Sequence, residues 1–148
     1  MIEYALLGAL MVAVTIVIHG TGTTYWVRYL AHQHSTRKGY WRLGESLRLV
    51  IATALVGISL HTVQILLWAF AFLRLDHAGE LETFEAAVYF SFVTFTTLGY
   101  GDITLSEGWR LLSGIEALNG ILLVGWTTAM LFAAVQKIWS SQAGQPLS

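Results

Sequence analysis

The chain has 148 residues, 55% of them hydrophobic, 13% aromatic and only 11% charged, with a formal net charge of −1. About a quarter of an average soluble chain is charged, so this composition excludes an ordinary water-soluble domain, and the near-zero net charge offers no basic surface for nucleic acid. The absence of cysteine removes disulfides and thiolate metal sites, and the length allows one domain.

The first apolar segment, Tyr4 to Ile18, has Glu3 as its only early charge. A secretory signal would carry a basic start, so this segment reads as a retained membrane helix. To cross about 30 Å of hydrocarbon at about 1.5 Å per residue it needs some of the residues that follow. The stretch Gly20 to Thr24 (GTGTT) leaves three readings open: the inner end of the helix, small residues packed on a neighbouring helix, or a break before Tyr25 to His32. No Gly-Lys-Ser/Thr follows, which makes a phosphate-binding loop a poor reading. His32 and His34, two apart, would not share a helix face and read as solvated loop residues rather than metal ligands. Residues 1–33 thus form an N-terminal membrane helix with an inward extension.

Charge then sets the orientation. Arg28, Arg37, Lys38, Arg42 and Arg48 face a single acid, Glu45, which places the 34–47 loop in the cytoplasm by the positive-inside rule. Further on, Asp76, Glu80, Glu82, Glu85, Asp102 and Glu107 face only Arg74 and Arg110, so that region belongs outside. The N-terminus is expected outside, the first helix running inward, the second outward, the last inward, and the C-terminus in the cytoplasm. The second spanning segment, Leu49 to Leu73 within an outer helix at 48–74, would measure about 37 Å. Trp68, near its outer end, reads as an interfacial anchor. His61 is either a pH sensor or, as is more usual for a lone polar residue in such a helix, bonded to a neighbouring helix.

Thr83 can cap a helix over 83–95 whose first turn holds Glu85. At about 18 Å it is too short to cross a bilayer. Its negative C-terminal end, at Thr94 to Thr97, would lie near mid-membrane and favour a cation. TTLGYGD follows, from Thr96 to Asp102. Gly99 and Gly101 flank Tyr100, and their freedom lets successive carbonyls point the same way, as replacement of an ion's water shell requires. Irregular backbone at this depth is tolerated only inside protein or along a water-filled path. The last apolar segment, Trp109 to Trp139, spans about 46 Å if continuously helical, and 140–148 forms a short cytoplasmic tail. Gly114, Gly120 and Gly125 are hinges or points of close helix contact. Glu116 is the one acid inside a spanning segment, a functional hypothesis by default. Thr94, Thr96 and Asn119 are its candidate partners, and a hydrogen-bonded bridge is favoured over ion coordination or proton sensing.

The heptad, the aromatic run Phe84 to Phe95 before it and the flanking spans resemble the pore region of the potassium channel family, over roughly residues 48 to 138. The family consensus is TVGYG, and Leu98 stands where valine or isoleucine is usual. The resemblance implies an all-α membrane protein with three transmembrane helices, a re-entrant pore helix and a selectivity-filter loop. In it the carbonyls of Thr97, Leu98, Gly99 and Tyr100, with the Thr97 hydroxyl, bind K+, and Gly101 completes the strand. A single chain supplies one such loop and four must surround the ion, which implies a homotetramer. Asp102, Tyr89, Thr94, Thr96 and Glu116 would support the filter. Where many members carry two tryptophans this chain has Tyr89 and Phe90, so the Tyr89 hydroxyl is the obvious holder of Asp102. Val93 replaces a glutamate of some bacterial members. Gly120 matches the family's gating glycine, and Ile121, Val124, Thr128, Phe132 and Gln136 would line the inner cavity, with Phe132 as a constriction that closes by dewetting.

The expected function is a potassium-selective channel in the lipid bilayer of a bacterial inner membrane, with K+ as permeant ion, no cofactor and no nucleic-acid partner. A weakly selective cation channel and a non-conducting subunit that regulates a partner channel are the alternatives. No nucleophile–base pair or metal-ligand cluster suggests an enzyme. None of the long helices carries the repeated arginines of a voltage sensor, and no ligand-binding domain is expected after Trp139.

Overall fold

The computed structural model describes residues 2–35, 43–75, 81–106 and 109–142. They form four helices: α1 (Ile2–Ser35), α2 (Leu43–Leu75), α3 (Phe84–Phe95) and α4 (Trp109–Gln142). Three are long and apolar enough to cross a membrane, over Ile2–Gln33, Gly44–Arg74 and Trp109–Ser140. Among the described residues there is no strand. Of the loop charges, Arg37, Lys38, Arg42, Asp76, Glu80 and Glu107 lie outside the described residues, as does the tail from 143.

Each long helix outruns its apolar segment. The 34 residues of α1 extend about 50 Å, and its second half places His32 and His34 on a helix rather than in the expected loop. No proline interrupts the ladder, since the only one is Pro146, and polar residues continue a helix readily beyond the hydrocarbon. For the same reason α2 starts at Leu43 and α4 runs unbroken through Gly114, Gly120 and Gly125 to Gln142.

Lipid tails are as apolar as leucine, so close packing and interhelical hydrogen bonds must hold such helices together. Small residues decide where they approach. A Cβ on Gly22 would come within 2.6 Å of Leu60, and one on Gly8 within 2.6 Å of Ile115. The GTGTT stretch therefore sits inside α1 as a packing surface, with the Thr23 hydroxyl folded back on the His19 carbonyl at 2.8 Å. Along α1 and α4 the contacts advance together: the Tyr4 ring lies 4.8 Å from Trp109, Thr15 meets Asn119, and Gly20 faces Trp126. Against α2 they run in opposite order, from His19 on Gln64 to Trp26 Nε1 donating to Thr53 Oγ1 at 3.1 Å. So α1 and α4 are parallel and α2 antiparallel to both, the relative directions that the charge pattern requires.

The short α3 lies between α2 and α4. Phe90 meets Phe72 edge-on at 5.2 Å, and Trp68, Phe72, Ala87, Phe95, Leu112 and Leu123 are buried around it. This corrects the expectation for Trp68. It is fully buried, 5.9 Å from Phe72, with no protein partner for its indole N–H, and does not sit at a lipid interface. Ile65, Trp68 and Phe72 share one helical face, and that face looks at α3.

Candidate functional site

The TTLGYGD segment is positioned by the two ends of α3. At the start, Thr83 has extended backbone (φ −132, ψ 157), and its hydroxyl accepts from Ala86 N at 3.1 Å. Glu85 in the first turn complements the positive end of the helix. At the other end the chain leaves through a left-handed residue. Thr97 N donates to Thr94 O at 2.9 Å, and Leu98 N to Val93 O at 2.9 Å. This pair of bonds is the Schellman closure, which normally places glycine at the left-handed position. Here Thr97 occupies it with φ 59, at a cost of about 1–2 kcal/mol for a residue with a Cβ. The strain persists because the surrounding bonds over-determine it, as at many functional sites.

Beyond Thr97 the positive φ recurs at alternate positions, 55 at Gly99 and 78 at Gly101. In an ordinary strand successive carbonyls point to opposite sides. A left-handed residue at every second position turns one peptide plane over, which brings carbonyls to the same side. The amides of Thr96, Thr97, Leu98 and Gly99 are meanwhile turned back to carbonyls of α3. The first half of the segment thus uses its donors internally, and the exposed side chains Leu98 and Tyr100 line a cleft with Phe84, Val88 and Phe92 of α3.

The far end is tied down by one side chain. Tyr89 Oη donates to Asp102 Oδ2 at 2.7 Å, the pairing expected from the loss of a tryptophan at this place. That bond holds the Asp102 carboxyl below the ordinary aspartate range and raises the Tyr89 phenol above its own. After Asp102 the chain returns to α4, where Arg110 Nε donates to Leu105 O at 2.9 Å.

Behind the segment, Glu116 is fully buried on α4. Its partner is neither Thr94, Thr96 nor Asn119. Its Oε1 is hydrogen-bonded to the Ser91 hydroxyl of α3, which also lies 3.0 Å from the Ile65 carbonyl of α2, while its Oε2 has no protein partner. Asn119 is engaged elsewhere, its Nδ2 donating to Thr15 Oγ1 at 2.9 Å, and Thr96 Oγ1 donates to Phe92 O at 2.7 Å. Glu116 and Ser91 together therefore link α4, α3 and α2, and the carboxyl does not reach the TTLGYGD backbone. Gly120 marks the tightest approach: any Cβ there would overlap the Phe95 carbonyl. Its role in this fold is close contact between α4 and the end of α3.

Ile121, Val124, Thr128, Phe132 and Gln136 lie on one face of α4, and all are exposed. Thr94 is half-buried beside the segment. Sequence reasoning missed Ser91, Thr15, His19, Gln64 and Thr127, which carry the interhelical hydrogen bonds. The spacing of Thr15, His19 and Thr23, every fourth residue on an apolar helix, was the available signal for the docked face of α1.

The chain matches the family model described as "Ion channel" over residues 58–137, more than half of its length. Searches of curated proteins and of solved structures gave no match. The matched stretch takes in most of α2, all of α3, the TTLGYGD segment and most of α4. With three helices able to cross a bilayer and an ion channel domain over more than half its length, this integral membrane protein belongs to the ion channel family.

Proposed function

We propose that four copies of the chain surround one axis and conduct K+ down its gradient, with residues 96–102 as selectivity filter. The observation that carries this reading is the alternation of left-handed residues at 97, 99 and 101 immediately after a half-length helix. Such a strand presents the carbonyls of Thr97, Leu98, Gly99 and Tyr100 in a row, and the negative end of α3 favours a cation just below. One chain offers oxygens on one side of an ion only, so a closed shell needs cyclic copies. The exposed α4 face from Ile121 to Gln136 supports the same arrangement, as the wall of an inner cavity with Phe132 as its narrow point.

The charge pattern sets the filter at the outer surface and both the 34–47 loop and the C-terminus in the cytoplasm. Tyr89 and Asp102 anchor the outer end of the filter, and Glu116 braces it from behind through Ser91 and α3. The filter needs no bound group other than its permeant ion.

Purified protein in liposomes tests this. Expected are K+ flux blocked by barium, a reversal potential that follows the K+ gradient in mixed K+ and Na+, and a tetramer by native mass measurement. A reversal potential indifferent to the two ions would make it a weakly selective cation channel, as Leu98 in the filter position would allow. A monomer or dimer without flux at any pH or voltage would leave a non-conducting subunit and overturn the proposal.

A further inference from the structure

Four side chains from three helices close a ring of hydrogen bonds inside the bundle. Gln64 Nε2 lies 3.0 Å from His19 Nδ1, and Gln64 Oε1 lies 3.1 Å from His61 Nδ1. Thr127 Oγ1 completes the circuit, 2.9 Å from His61 Nε2 and 3.3 Å from His19 Nε2. Both nitrogens of both imidazoles are used, and the two rings stack at 5.3 Å between centroids.

The chemistry of each atom places the protons. An amide nitrogen only donates, so His19 Nδ1 accepts from Gln64 and the His19 proton sits on Nε2. An amide oxygen only accepts, so His61 carries its proton on Nδ1, and its Nε2 accepts. His19 Nε2–H then donates to Thr127 Oγ1, and the Thr127 hydroxyl donates to His61 Nε2. Every donor meets an acceptor, all four bonds run the same way round, and both imidazoles are neutral. Turning the Gln64 amide over reverses the circuit and exchanges the tautomers. Either way the two histidines carry opposite tautomers.

The ring has no place for more protons. One added proton forces Thr127 to accept from both imidazoles, and its own hydroxyl loses its acceptor in the ring. A second points both Nδ1–H groups at Gln64, where the amide NH2 is left facing a donor, and it sets two cations side by side. Among the described residues no counter-charge is in contact with it. The ring is faced by Trp126 of α4, 5.4 Å from His19, and by Phe95 of α3, 5.7 Å from His61. Among the described groups in contact, the titratable ones are His19 of α1 and His61 of α2. Glu116 lies three turns back on α4 and is turned to Ser91 of α3.

The contacts of the ring give it leverage. His19 holds α1 to both α2 and α4, and Gly57 brings the α2 backbone close to Thr127. Phe95, which touches His61, is the last residue of α3, and its carbonyl abuts Gly120. We infer that the His19–Gln64–His61–Thr127 ring positions α1 on the bundle and acts as a proton-operated latch, closed while both imidazoles are neutral and opened by their protonation, the change reaching residues 96–102 through Phe95. Its effect on conduction rests on the channel reading above, whereas the ring itself does not.

The test uses the full chain in liposomes with ¹⁵N-labelled histidine. Imidazole signals are assigned by their loss in His19→Gln and His61→Gln. Near about pH 8 one of the two should be an Nδ1–H tautomer and the other Nε2–H, and acidification toward about pH 4 should convert them to imidazolium in two steps, the second held back by the first charge. K+ flux should change roughly fivefold or more over the same range. Thr127→Val, which keeps the shape and removes the hydroxyl that ties both imidazoles to α4, should bring the flux near about pH 8 to the wild-type acid-side level and lose most of that response. Identical tautomers, or an imidazolium at the alkaline end, overturn the ring. The same pH profile in wild type and Thr127→Val overturns the latch. A protein that passes no current under any condition refutes the channel reading and the conducting half of the latch, while the tautomers still decide the ring.

Discussion

The two faces of α4 are built on opposite terms. One face carries Glu116, Asn119, Gly120, Leu123 and Thr127, all turned toward the other helices of the same chain, with Ser91, Thr15, Phe95 and His61 among their partners. The other carries Leu118, Ile121, Val124 and Phe132, which are 69%, 59%, 43% and 58% exposed. Polar groups in hydrocarbon have no water to fall back on, so they must find partners inside the chain. Apolar side chains can be left for lipid, a cavity wall or another copy. The TTLGYGD segment belongs with the open face, since Leu98 and Tyr100 are also uncovered. One chain therefore completes its own scaffold and leaves uncovered the surface proposed to conduct.

Two glycines break this comparison most directly, because each is required for a different reason. Gly99 has open space around its Cβ position but a φ of 55. Gly99→Ala should leave helix content by circular dichroism unchanged while K+ flux falls roughly fivefold to thirtyfold, since about 1–2 kcal/mol of strain falls on the strand proposed to hold the ion. Unaltered flux would show that left-handed backbone at 99 is not needed. Gly120 sits in an ordinary helix against the Phe95 carbonyl. Gly120→Ala should lower the unfolding temperature, with a loss of about 1–3 kcal/mol from overpacking. An unchanged unfolding temperature would mean that α3 and α4 do not meet this closely.

The smallest effect is expected at the border between the two regions, where Tyr89 holds Asp102. The bond keeps the Asp102 pKa below its ordinary 3.8. A depressed carboxylate contributes its stabilisation above the ordinary pKa and loses it as pH falls through the lowered one. Tyr89→Phe should therefore move the Asp102 titration upward toward 3.8, as read by carboxyl ¹³C shifts, and the Asp102 end of the segment should loosen at a higher pH than in the wild type. No movement of that titration would mean that the tyrosine does not hold the aspartate in the membrane.

Much of this was readable from local chemistry. Thr83 as a cap, the half-length of α3 and the glycines of TTLGYGD follow from residue types and short spacings, because caps and turns are decided within a few residues, whereas the pairing of Tyr89 with Asp102, 13 residues apart, followed from the family resemblance. Other features required the packed helices: Ser91 as the partner of Glu116, the burial of Trp68, Gly120 as a contact point and the docking of α1. A helix that is apolar all round carries no phase in its hydrophobic pattern, since lipid and protein interior look alike to a leucine. Only scattered small and polar residues mark which side faces inward, and which of them meet depends on how helices distant in the chain come to lie side by side.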